Sequence, residues 1–260
     1  MSARPGVGPR SLGVLLALTA IIAINLGAFD GTGNELGEEE SDREHPDVTR
    51  VELNLEAPGD VVIGAGATDN VQVRQTVRGS FRDPATDQQS NNGTLSLSSD
   101  CGLGIFDWLE CSVDYTITVP PSIELSGYLS SGDLTILDVD GEIDLTVSNG
   151  SIDLTGGTAR VKLNGVNGSI AVVNNRSREI ELRTTNGDLS LSADGSPALI
   201  TARSTNGEID IQLPTSSSAY SVQTDTVNGQ VDVGIKSDQT ATQTIRAGTV
   251  NGDVTIEYIR

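Results

Sequence analysis

The chain has 260 residues, with 36 Asp and Glu against 16 Lys and Arg, a net charge of −20 and 3% aromatic residues. Such a chain repels phosphate backbones, so nucleic acid is excluded as a partner, and cations, basic peptides or water are the fitting counterparts. One histidine and two cysteines supply neither a metal-ligand set nor a base beside a nucleophile, so no catalytic constellation, cofactor or metal site is expected.

Residues 1–29 hold Arg4 and Arg10, no acid, and an apolar run over 12–29 broken only by Thr19, Asn25 and two glycines. As a helix those positions span about 27 Å, close to the hydrocarbon thickness of a bilayer. The segment reads as an N-terminal membrane helix. It lacks the small-x-small exit of a cleaved signal peptide, although cleavage stays open and would make the remainder secreted. The alternative, a buried soluble helix, fits the flanking charges less well. Arginines before the span and acids after it put the C-terminal part outside the cytoplasm, single-pass at the cell membrane.

Residues 30–47 carry eight acids, one arginine and almost nothing apolar, which predicts an extended, disordered acidic linker. His45, in this stretch, is expected to be solvated. From residue 48 to residue 260 the chain reads as one β-domain. Alternating runs such as Val51/Leu53/Leu55 and Val71/Val73 look like irregular first coils, and 80–93 reads as a polar loop before strand pattern resumes at Leu95/Leu97.

Cys101 and Cys111 bracket GLGIFDWLE, and outside the cytoplasm a pair so close most simply forms one disulfide. Cys-x-x-Cys redox spacing and further metal ligands are both missing. The enclosed Ile105, Phe106, Trp108 and Leu109 have two readings: a cap over the end of a stack, or an exposed tip that contacts a partner, be it an extracellular protein, a peptide, a glycan or the membrane surface.

From residue 130 onward one phrase recurs seven times: SSGDLTI, SNGSIDL, VNGSIAV, TNGDLSL, TNGEIDI, VNGQVDV and VNGDVTI. Its glycines are Gly132, Gly150, Gly168, Gly187, Gly207, Gly229 and Gly252, preceded from the second onward by Asn149, Asn167, Asn186, Asn206, Asn228 and Asn251, with steps of 18, 18, 19, 20, 22 and 23 residues. After each glycine polar and apolar residues alternate, and a second alternating run lies between glycines, as in Ile143/Leu145 and Ile180/Leu182. Each repeat therefore holds two strands and two turns. The Asn-Gly turn is constant while the other ranges from 138–140 to 236–242. That asymmetry predicts an all-β, two-strand-per-coil solenoid with the Asn-Gly turns as a structural ladder along one edge. The rival is an antiparallel meander with Asn-Gly hairpins, which would not confine Asn-Gly to every second turn.

Most acids fall at outward strand positions or beside turn glycines, where solvation accounts for them. A carboxylate pair serving polysaccharide hydrolysis remains the enzymatic alternative. Asp138-Val139-Asp140-Gly141-Glu142 lacks the later ligands of a calcium loop.

The sequence CGLGIFDWLECSVDYTITVP followed by serial SSGDL and TNGDL phrases resembles a family of bacterial and archaeal domains labelled "putative adhesin", DUF4097. The resemblance covers residues 48–258. It implies an extracytoplasmic β-solenoid, often membrane-tethered, and brings no catalytic residues. The expected function is a non-enzymatic surface module for adhesion, envelope sensing or partner binding.

Overall fold

A computed structural model describes residues 38–78, 84–102, 111–215 and 219–259. The apolar segment 12–29, the first part of the acidic stretch, and Ile105, Phe106, Trp108 and Leu109 lie outside the described residues, within which every regular element is a strand.

The first strands are β1 (Glu38–His45), β2 (Arg50–Leu55), β3 (Val61–Ala65), β4 (Val71–Arg78), β5 (Ala85–Asn91), β6 (Thr94–Asp100) and β7 (Ser112–Val119). The repeats then give β8 (Glu124–Ser131), β9 (Leu134–Leu137), β10 (Ile143–Asn149), β11 (Ile152–Thr155), β12 (Val161–Asn167), β13 (Ile170–Asn175), β14 (Glu179–Arg183) and β15 (Leu189–Ala193). The chain closes with β16 (Leu199–Arg203), β17 (Ile209–Leu213), β18 (Ser221–Asn228), β19 (Val231–Val233), β20 (Thr244–Asn251) and β21 (Val254–Tyr258).

These strands form two sheets. Sheet A has the order β1-β4-β7-β3-β9-β11-β13-β15-β17-β21-β19, and sheet B the order β18-β20-β16-β14-β12-β10-β8-β2-β6-β5. From β8 onward each repeat contributes one strand to sheet B, turns through Ser-Gly or Asn-Gly, and contributes the next to sheet A. All neighbours in this part are parallel and in register, as with Leu189↔Ile209 and Ile180↔Ile200, apart from a shift between Val173 and Asn175 where β13 meets β15. Parallel pairing rules out the meander.

The alternation puts Ile, Leu and Val of both sheets face to face. Leu189, Leu191, Ile200, Ala202, Ile209 and Ile211 are each at most 1% exposed. Each fully buried aliphatic side chain of Val size or larger contributes about 1.5–3 kcal/mol, so the stack is held by many equivalent layers.

Asn149 Nδ2 donates to Ser130 O at 3.1 Å, and each later Asn of the turns donates from Nδ2 to Oδ1 of the Asn one coil below: Asn167 to Asn149 at 3.0 Å, Asn186 to Asn167 and Asn206 to Asn186 at 2.8 Å, Asn251 to Asn206 and Asn228 to Asn251 at 2.7 Å. The backbone runs alongside, with Gly168 N–H donating to Asn186 O at 2.8 Å and Gly187 N–H to Asn206 O at 2.9 Å. Inside this seam, hydroxyls of Thr184, Ser204, Thr249 and Thr226 each donate to a seam-glycine carbonyl at 2.9–3.0 Å. Polar groups that a stack would otherwise bury unpaired are thereby satisfied.

Three features depart from the sequence reading. The last coil in sequence, β20/β21, is not the last in space: it rests on β16/β17, and β18/β19 is outermost. The pair of inward rows with the bulkier aliphatic side chains, in which Ile245, Val254 and Ile256 are each 0% exposed, occupies the interior slot. The longer steps of 22 and 23 residues give the chain the slack to pass over one coil and return.

Part of the acidic stretch, residues 38–45, is a strand. Strand structure begins at Glu38, ahead of the start expected at residue 48, because β1 pairs antiparallel with β4 along eight residues. There Arg74 Nε lies 3.0 Å from Glu40 and 2.9 Å from Asp42, relieving the self-repulsion that made the segment read as disordered. His45 is correspondingly half-buried, and its Nε2 lies 3.0 Å from Gln88 Oε1.

The polar loop at 80–93 contains β5, paired antiparallel with β6 through Asn92-Gly93 at φ of 50° and 77°. This one Asn-Gly makes a hairpin. β5 shows no apolar alternation because its side chains are exposed, and the backbone ladder holds it.

A Cβ on Gly187 would sit 2.1 Å from Gly168 O. Gly187→Ala must therefore push neighbouring coils apart, and it is expected to cost more than about 3 kcal/mol, against about 1–2 kcal/mol for Asn186→Ala, which deletes two ladder bonds. Denaturant unfolding of both variants checks the order.

Candidate functional site

Because the two strands of a repeat belong to different sheets, the outward residues sort onto two faces. On sheet A, from β9 to β19, the outward acids are Asp133, Asp153, Asp188, Glu208, Asp210, Asp232, Asp253 and Glu257. No Lys or Arg stands among them. Between them stand small residues, Thr135, Ser151, Ala171, Ser190 and Thr255, so the face is flat and acidic. Seven strands spread it over about 29 Å.

Sheet B is different. Its outward rows mix signs, and the charges pair across or along strands: Lys162 with Asp144 at 2.9 Å, Arg160 with Glu179 at 3.1 Å, and Arg183 with Glu181 at 2.6 Å. Such exposed pairs add little stability, about 0–1 kcal/mol each. They do neutralise that face.

At the seam edge of sheet A the acids also serve the backbone. Asp60 Oδ1 accepts from Asp133 N–H at 2.9 Å, Asp133 Oδ1 from Ser151 N–H at 2.8 Å, Asp188 Oδ1 from Glu208 N–H at 2.8 Å, and Asp253 Oδ1 from Gln230 N–H at 2.7 Å. These four oxygens have structural partners. Asp153 and Asp210 lie further along the strands. Desolvation by the sheet surface raises Asp153 above the ordinary aspartate value, with Asp133 adding to it. Desolvation likewise raises Asp210, reinforced by Glu257, and Asp210 Oδ1 is buried without a hydrogen-bond partner.

Clefts border the sheets, two of them beside charged residues of the repeats. One, of about 430 Å³, opens among the variable turns and is lined by Asp138, Asp140, Thr158, Asn174, Arg176 and Asp194; Arg176 pairs with Asp194, and Thr158 donates to Asp140. Among the described residues no group of three His, Cys, Asp or Glu is placed to hold a metal ion. The second, of about 370 Å³, lies on sheet B beside the seam and contains Arg183, Arg203, Asp225 and Gly248.

The expected bridge between Cys101 and Cys111 is present, with a Cα–Cα distance of 6.1 Å. It ties the end of β6 in sheet B to the start of β7 in sheet A, at the place in the coil that an Asn-Gly turn takes in the repeats. The loop that it closes carries the proposed contact residues. All the seam residues named from the sequence, Gly132 and the six Asn-Gly pairs, stand in one row.

Two facing, mostly parallel sheets joined by alternating turns define a solenoid-like all-β fold. The Toastrack DUF4097 family is matched over residues 123–257, more than half of the chain, and the chain belongs to that family. Among solved structures, it is similar to a "putative adhesin" from Bacteroides fragilis NCTC 9343, at 16% identity, 88% of this chain, 100% of that chain and a TM-score of 0.50. It is also similar to a "putative cell adhesion protein" from Clostridium sporogenes ATCC 15579 at 12% identity, covering 85% and 100%, with a TM-score of 0.43. A "putative lipid binding protein" from Parabacteroides distasonis ATCC 8503 matches at 12% identity, covering 86% and 97%, with a TM-score of 0.45. At these identities the likeness bears on the fold alone. No curated protein matches the chain.

The division of charge between faces is the feature that reading the repeats as one string missed. Its signal was present: taking the run after each glycine separately from the second run leaves the first with acids and no Lys or Arg, and puts nearly every cation in the second, beside acids that pair with them.

The raised Asp210 has a pH consequence. A carboxyl whose folded value exceeds the unfolded 3.8 favours the fold below that value, and this contribution is lost as pH rises through the folded value. Asp210→Asn is therefore expected to be more stable than the parent at pH 7 and equal to it near pH 3. Thermal unfolding at the two pH values measures the difference.

Proposed function

We propose that the chain is a non-enzymatic binding module held outside the cytoplasm, tethered by residues 12–29, whose recognition surface is the acidic face of sheet A. The observation that carries this is the row of eight carboxylates without an intervening cation, set against the paired charges of sheet B. Like charges on a flat, rigid sheet repel one another across strands about 4.8 Å apart and stabilise nothing by themselves. A basic protein surface or peptide removes that repulsion on docking, and the field steers its approach. Adhesion or envelope sensing through such a partner fits a tethered module. The disulfide-closed loop with Ile105, Phe106, Trp108 and Leu109 supplies the apolar contact that a carboxylate face lacks.

The enzymatic alternative draws on the raised values of Asp153 and Asp210. Those residues sit on β11 and β17, three strands apart in sheet A, so about 14 Å separates their rows. Two carboxyls that cleave a glycosidic bond stand about 5–9.5 Å apart. Neither residue lines the clefts described above.

The test is binding of the full-length chain to an immobilised arginine-rich peptide over a salt series, beside Asp153→Asn/Asp210→Asn/Asp232→Asn and Trp108→Ala. Binding is expected to weaken steeply with salt, to drop about tenfold in the triple variant, and to drop in Trp108→Ala as well. Salt-independent binding, or a triple variant equal to the parent, contradicts the carboxylate face. Polysaccharide turnover abolished by one Asp→Asn change establishes the enzymatic alternative.

A further inference from the structure

The two ends of the stack are finished differently. At the N-terminal end the outer strands, β1 and β5, are antiparallel additions, and a polar plug lies beneath them: Gln75, 5% exposed, donates to Thr86 Oγ1 and accepts from Gln88, both at 3.0 Å. β1 is also studded with acids, which discourages further strand pairing. At the C-terminal end the outermost strands are β18 and β19, parallel to the coil beneath. Their register with Ile245, Val254 and Ile256 makes Val222, Val231 and Val233 inward-facing, core-type positions. Yet Val231 is 42% exposed, and Val222 and Val233 are half-buried.

Among the described residues β18 offers a free edge from Gln223 onward; at its start the 236–239 segment lies alongside, with Tyr220 N–H donating to Lys236 O at 3.1 Å and Gln239 Nε2 donating to Val222 O at 3.4 Å. Ser221 N–H donates to Gln243 O at 2.8 Å, toward β20. In a parallel ladder the bonding side alternates, so the N–H and C=O groups of Val222, Thr224 and Thr226 point away from the sheet. Past that segment the strand carries no protection in its own sequence: β18 has no Pro, no Lys and no inward-facing charge. Its one charge is Asp225, whose side chain is 72% exposed and only 3.9 Å from Arg203 at its nearest.

We propose that the β18 edge is a strand-addition site for an extended segment of another protein in which apolar residues alternate with Lys or Arg. The unpaired backbone groups take the segment's main chain. Its inward residues must cover Val222, Val231 and Val233, which calls for apolar side chains. Its outward residues stand beside Asp225 on a chain of net charge −20, which calls for basic ones. A second copy fits less well, since it would bring a second Asp225 to the same edge.

The test uses the full-length chain and fluorescence anisotropy of two labelled seven-residue peptides, one alternating Val and Lys, the other Val and Glu. Thr224→Pro removes an outward N–H without touching the ladder to β20, and Asp225→Lys reverses the local charge. The Val/Lys peptide is expected to bind saturably and at least about tenfold tighter than Val/Glu. Thr224→Pro is expected to abolish that binding with an unchanged melting temperature, and Asp225→Lys to reverse the preference. Asp153→Asn/Asp210→Asn is expected to leave the part sensitive to Thr224→Pro intact, which separates this edge from the sheet A face. Equal binding of the two peptides, or indifference to both Asp225→Lys and Thr224→Pro, overturns the proposal. So does self-association that Thr224→Pro abolishes in the absence of peptide binding.

Discussion

The structure depends on how closely one turn of the solenoid sits on the next. At the seam a glycine lies directly over the carbonyl of the glycine below, near enough that a Cβ would stand about 2 Å from it at Gly150, Gly168, Gly187, Gly207 and Gly229 alike. Only at that separation do the carboxamides of successive asparagines meet at 2.7–3.0 Å and run as one chain of six. The same spacing brings the strands of both sheets to pairing distance and their aliphatic rows into contact. The seam is thus a ruler: it fixes the rise per coil, and the opposite turns, free of that constraint, vary in length.

Much of this was legible because a repeat states its own period. The constant Asn-Gly, the alternation on both sides of it and the variable second turn are enough to require parallel coils, and the Cys101–Cys111 pairing followed from spacing and compartment. Order along the stack was not legible. Which of two similar coils lies inside depends on how completely Ile245, Val254 and Ile256 fill a layer compared with Val222, Val231 and Val233, a difference of a few methyl groups that no motif announces. β1 and β5 were missed for a related reason. Strands whose side chains face water carry no apolar alternation, and only pairing to β4 and β6 reveals them. For the candidate site, the acids themselves were visible, but their gathering on one face required knowing which run of each repeat belongs to which sheet.

The same architecture separates charge by face. Sheet B neutralises its own charges through Lys162, Arg160 and Arg183, while sheet A carries unrelieved carboxylates on strands that cannot move apart. The seam rung residues Asp133, Asp188 and Asp253 have backbone N–H groups to accept from, so their charge is partly structural. Asp153, Asp210 and Asp232 have no such role in the ladder, so the charge they add to the face serves no structural bond. The ends differ as well: a plug of Gln75, Gln88 and His45 finishes one, and a strand covered only at its start finishes the other.

Seam continuity, and with it the face and the free edge, rests on the coil order in which Asn251 lies between Asn206 and Asn228. Cysteines placed on the seam test it most directly, in three double variants: Thr205→Cys/Val250→Cys, Val250→Cys/Val227→Cys and Thr205→Cys/Val227→Cys. In the first two the positions are in register on adjacent strands, within disulfide reach, and in the third a whole strand intervenes. Mass mapping under mild oxidation is expected to find new bridges in the first two and none in the third. A 205–227 bridge, with none at 205–250, would mean that the coils stack in sequence order and would contradict the account.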